Sequence, residues 1–134
     1  MVLNDAVRQA LTSGHLAHLV TLNADGSPHV SLVWVGLDGD EIVCAHLGSW
    51  KKVKNIQQDA RVTLSMETGG KSGGLDNYLV VSGCAHVTEG GAPELLHRLA
   101  QVYMGPGTKF PPDNAPAGYI THIEVERVHG VGPW

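Results

Sequence analysis

The chain has 134 residues, 16% of them charged, and a formal net charge of −4. That length suits one domain with its own hydrophobic core, and the low charge content excludes an intrinsically disordered chain. The acidic balance excludes whole-molecule attraction to nucleic acid or anionic lipid, so any anion site has to be local.

The start, MVLNDAVRQAL, lacks the basic and apolar blocks of a signal peptide. No apolar run reaches the length of a membrane span, so a cytoplasmic protein is expected. Asn4 is placed to cap a first short helix with Val7, Ala10 and Leu11 at helical spacing, and Gly14 to end it. Three strands follow at 15–22, 28–37 and 41–47, rich in Val, Leu, Ile, Thr and Trp and separated by Asn-Ala-Asp-Gly and Asp-Gly-Asp turns. Ser49 reads as the N-cap of a second helix running to Gln58, with Val53 and Ile56 toward the core.

Further strands are expected at 61–67 and 78–88, joined by a flexible hairpin loop, Thr68 to Asn77, that carries four glycines. Gly83 inside the second of these marks a bulge or a barrel corner. Pro93 fits the first turn of a third helix whose apolar face is Leu95, Leu96, Leu99, Val102 and Tyr103, ending near Gly105. A Pro/Gly-rich connection leads to a last strand, 119–128. Six strands with turns too short for parallel crossovers predict a mainly β fold, a six-stranded antiparallel barrel with a few short helices. A barrel that narrow is filled by its own side chains. A sizeable ligand therefore binds outside it, in a groove shared by the barrel, its loops and a second subunit.

Several motifs lack the parts their chemistry needs. Gly70-Lys71-Ser72 has Ser65 where a P-loop needs its first glycine, and neither a dinucleotide fingerprint nor a nucleophile elbow occurs. The eight histidines show no H-E-x-x-H or similar spacing, so no metal site is expected. Cys44 and Cys84, far apart and within apolar runs, read as buried thiols.

The segment from Cys44 to Ile56 differs, because three of the nine basic residues, Lys51, Lys52 and Lys54, gather at one helix start. That end of a helix already carries about half a positive charge and unpaired N–H groups, so added lysines are unfavourable unless an anion sits among them. A phosphate site is the functional reading. A solvated basic face is the plain alternative.

The run Leu19 to Trp34, the stretch Lys52-x-Lys54-Asn55-Ile56-x-x-Asp59-x-Arg61-Val62, and Glu126-Arg127-Val128-His129-Gly130 resemble, in that order, the split β-barrel flavin/deazaflavin oxidoreductases. These are the pyridoxamine 5′-phosphate oxidase-like proteins, and the similarity is strongest to their coenzyme F420-dependent branch. The resemblance implies a homodimer with the cofactor at the subunit interface. It implies that Lys52 and Lys54 hold the cofactor phosphate, with Ser49, Trp50 and Lys51 around it. Ser31, Leu32 and Val33, with Ala45, His46 and Leu47, would line the ring system through backbone groups. Many relatives carry arginine at the position of Trp50, so bidentate phosphate contact is missing there. Trp34 is read as core, and Trp134 as a side chain docked in a pocket or interface and counted among the cofactor-binding residues.

The implied activity is hydride transfer from reduced F420 to an electron-poor small molecule. An FMN-dependent flavoprotein and a non-catalytic cofactor carrier are the alternatives. No catalytic residue is legible.

Overall fold

Alternating apolar residues build one long antiparallel sheet in the computed structural model, which describes residues 1–134. The elements are α1 (Asp5–Leu11), β1 (Ala17–Leu22), β2 (Pro28–Val33), β3 (Gly36–Asp38), β4 (Glu41–His46), α2 (Lys51–Gln58), β5 (Arg61–Ser72), β6 (Leu75–Glu89), α3 (Ala92–Tyr103) and β7 (Tyr119–Val131). The strand order is β2-β1-β5-β6-β7-β4-β3. Inward residues of these strands, with Val7 and Leu11 of α1 and Ile56 of α2, form a core of 19 buried residues. A smaller cluster, Val43, Leu95 and Leu99, fixes α3 to the outside of β4.

The split-barrel fold class is as expected, but the sheet has seven strands and its ladder does not close. The single strand expected at 28–37 is divided at Trp34-Val35. Its first half pairs with β1 at one edge of the sheet and its second half with β4 at the other. The two edges are thus successive pieces of one chain. The β3–β4 ladder stops at Gly36↔Val43, so beyond Val43 the β2-facing edge of β4 has no strand partner. Extending that register would set Trp34 opposite Ala45 and Leu32 opposite Leu47. Those pairs are not formed, and the seam between the two edges is open.

Other boundaries also move. The hairpin expected at Thr68 to Asn77 is there, but its strands run on through most of that segment to Ser72 and from Leu75. Gly73 and Gly74 form its two-residue turn with φ of 57° and 83°, the positive values that such a turn requires. Gly83 does mark a bulge: the β6–β7 register shifts there, and a Cβ would collide with the Glu124 carbonyl oxygen. Cys44 is buried as expected, whereas Cys84 is exposed on the outer face of β6.

Candidate active site

A cleft of about 230 Å³ lies at the open seam. Its walls are Leu32, Val33 and Trp34 from the end of β2, Ala45 and Leu47 from the end of β4, Trp50 and Lys52 at the start of α2, Leu96 of α3, and Phe110. Eight of these nine residues are hydrophobic. Lys52 is the exception.

Helix phase explains how a lysine comes to be buried there. Lys52, Val53, Asn55 and Ile56 share the inward side of α2, while Lys51 and Lys54 point to solvent. Asn55 pins the helix: its buried Nδ2 donates to Thr21 Oγ1 at 3.1 Å and to Asn23 Oδ1 at 2.9 Å. Val53 and Ile56 fill the core beneath. Lys52 is left only 8% exposed, its ammonium 5.1 Å from the Trp50 ring centroid, with no carboxylate beside it. Burial lowers its pKa below the usual lysine value. Contact with the indole face offsets part of that cost.

The start of α2 is otherwise bare. Trp50 rather than Ser49 occupies the N-cap, no side chain caps it, and the first turn holds no acidic residue. Ser49 is exposed beside it.

His46 sits behind the cleft wall, buried, with Nε2 2.8 Å from Thr121 Oγ1 and Nδ1 without a partner. Desolvation, reinforced by the Lys52 charge, lowers its pKa from 6.5 to about 4. It is therefore neutral at physiological pH. Burial likewise pushes the Cys44 thiol up to about 12, so it is no nucleophile. Ser31 Oγ, on the strand that supplies one wall, is also buried and unpartnered. Trp34 stacks on Tyr103 at 5.1 Å and 10°, and its tilted contact with Phe110 closes the far wall. Tyr103 locks the bend of the divided strand by accepting from Val35 N–H at 3.0 Å and donating to His15 C=O at 2.9 Å.

The structure thus brings Leu32, Val33, Ala45, Leu47, Trp50 and Lys52 together around one cleft. Ser31 and His46 flank it without lining it, and Ser49, Lys51 and Lys54 are exposed and do not line it. Trp134 is elsewhere. Its indole N–H donates to Tyr78 C=O at 2.9 Å, its carbonyl accepts from Asn4, and its ring packs on the main core. The residues sequence reasoning missed are Leu96, Phe110 and Asn55, and Trp34, read as core, lines the cleft instead. Asn55 stood beside the lysine cluster as a polar residue in register with Val53 and Ile56, which was its only visible signal.

The fold is thus a split barrel with an apolar cleft at its open seam and one buried lysine in the cleft wall. The chain belongs to the pyridoxamine 5′-phosphate oxidase family, whose model matches residues 3–132. Among solved structures it is similar to an F420 reductase, with 22% identity and a TM-score of 0.76 over 95% of this chain and 98% of that one. It is also similar to a conserved hypothetical protein from Mycobacterium tuberculosis, with 23% identity and a TM-score of 0.74 over 98% and 86% of the two chains. HupZ from Group A Streptococcus matches at 17% identity and a TM-score of 0.66, over 96% and 94%. No curated protein of similar sequence was found. No helix is long and apolar enough to cross a membrane.

Proposed function

We propose that this protein binds the deazaflavin coenzyme F420 in the seam cleft and acts as a reductase of an electron-poor organic molecule. The observation that carries this reading is Lys52: a buried cation with no anionic partner, at the edge of an otherwise apolar cleft. A buried lysine without a counter-ion is costly, and a phosphate removes that cost. Exposed Lys51 and Lys54 extend the positive rim toward solvent, which suits an acidic cofactor tail better than the single phosphate of FMN. The similarity to an F420 reductase points the same way.

Reduced F420, when bound, supplies the hydride. The chain's own residues bind, orient and exclude water. Lys52 and the uncapped amides of α2 hold the phosphate, and Leu32, Ala45, Leu47 and Phe110 keep the ring environment dry. The unpaired edges of β2 and β4 offer backbone donors and acceptors to a flat heterocycle. Neutral His46 keeps the wall rigid through Thr121.

A homodimer belongs to this proposal. Val30 and Leu32, each 55% exposed, and the cross-strand row Val30, Val20, Thr63 and Ser82 give β2, β1, β5 and β6 an uncharged outer stripe that a second copy would cover. Light scattering should give twice the chain mass, and Val30→Glu should shift it toward the monomer.

The deciding experiment is a spectroscopic titration with F420 and with FMN. Saturable F420 binding that is at least tenfold tighter than FMN binding is expected. Tighter FMN binding would replace the deazaflavin assignment with a flavin one, and binding of neither would end the proposal.

A further inference from the structure

We propose a second site, independent of the cleft: a divalent transition-metal site of zinc type on the outer face of the sheet, formed by Glu41, His86 and His122. Each of these side chains offers one ligand atom, and the three atoms lie within 4.8 Å of one another. They come from three adjacent strands, β6, β7 and β4. His86 and His122 are directly paired across β6 and β7, with ring centroids 4.7 Å apart. Glu41 reaches in from β4, its Oε1 3.3 Å from His122 Nδ1.

Two features point to a cation rather than to an ordinary polar surface. His122 Nε2 lies 2.9 Å from Thr88 Oγ1. In the tautomer whose Nε2–H donates to that hydroxyl, the Nδ1 lone pair faces the Glu41 carboxylate, and a cation bound there would bridge the two. A hydrogen bond on the far ring nitrogen is also how metal-ligating histidines are oriented. Secondly, Glu41 stands directly opposite Glu124 on the neighbouring strand. Like charges in that position are destabilising, and a bound cation relieves the repulsion.

Two imidazoles and a carboxylate suit zinc, with a fourth position left for water. Ligand atoms around tetrahedral zinc are about 3.4 Å apart at metal–nitrogen distances of about 2.0–2.1 Å. The exposed His86 has the freedom to close the remaining gap by turning its ring.

The test is equilibrium dialysis of the untagged full chain against zinc chloride, with cobalt(II) absorption to report the ligand geometry. One zinc per chain is expected, with affinity reduced at least tenfold in both His86→Ala and His122→Asn. His97→Ala, an exposed histidine on α3, should bind as the native chain does. The thermal midpoint of His86→Ala without zinc should equal the native value, which separates ligand loss from unfolding. If His122→Asn melts early, Glu41→Gln takes its place. Absence of saturable binding up to about 1 mM zinc, or native affinity in either ligand variant, would overturn the proposal.

Discussion

Lys52 and Lys71 both follow turn-forming sequence, Gly48-Ser49 in one case and Gly69-Gly70 in the other. Lys71 lies on the hairpin arm with 64% of its side chain exposed and pairs with Asp76 at 2.9 Å. Lys52 is buried at the seam with no acid at all, beside an aromatic ring and a neutral histidine. On the hairpin the two charges of Lys71 and Asp76 already neutralise each other, and the one buried polar atom without a partner is the neutral Thr68 Oγ1. The seam carries charge and orphaned polar atoms that no other part of the chain satisfies, and such places are where a ligand contributes most.

The largest expected effect tests how dry the seam is. His46 titrates near 6.5 when unfolded and near 4 in the fold. Between those values the unfolded chain binds a proton that the fold refuses, so stability falls as pH drops through that window. The gap corresponds to about 3 kcal/mol. Urea unfolding at neutral pH and at about pH 4 should therefore show native protein losing about 3 kcal/mol more than His46→Gln. An equal loss in both would mean that water reaches His46.

Next comes Lys52 itself. Lys52→Met should weaken F420 binding by tenfold or more, in keeping with about 1.5–3 kcal/mol for a charged hydrogen bond. Stability without cofactor should hold or rise, because a costly buried charge is gone. The pH dependence separates the two roles. The lysine pKa is lowered in the fold, so stability of the cofactor-free native chain should increase as pH climbs through the lowered value toward 10.5, while F420 affinity falls over the same range. Lys52→Met should show neither slope. Lowered stability in Lys52→Met at neutral pH would recast the residue as structural.

The alternation in six runs made the barrel legible, and charge clustering at one helix start made Lys52 legible. The division of 28–37 was not, because Trp34 and Val35 are good strand residues and the break is imposed by Tyr103, a residue 68 positions away from Val35. The hairpin was legible but its strand ends were not, because glycine pairs signal a turn without saying how far the strands continue on both sides. Ser49 looked like a cap by residue type, but the backbone enters the helix one residue later. Cys84 sits in an apolar run whose alternate positions face outward. Glu41, His86 and His122 have no sequence spacing in common, and only strand order brings them together.

The smallest effect is expected on the hairpin, and it is the control that gives the others meaning. Lys71→Ala should leave F420 affinity unchanged within twofold and alter stability by no more than about 0.5 kcal/mol, since exposed ion pairs are screened and offset by side-chain entropy. The register of the arm does not depend on that pair. It is set by the Gly73-Gly74 turn, by the Ser72 hydroxyl donating to Asn77 Oδ1 at 2.6 Å, and by Asn77 Nδ2 donating to Gly69 C=O at 3.2 Å. A double-mutant cycle of Lys71→Ala with Asp76→Ala should accordingly give a coupling energy below about 1 kcal/mol, shrinking further in high salt. A larger coupling, or loss of cofactor binding in Lys71→Ala, would show the arm to be part of the binding surface. It would also remove the contrast on which the assignment of Lys52 rests, because proximity to glycine alone would then account for both lysines.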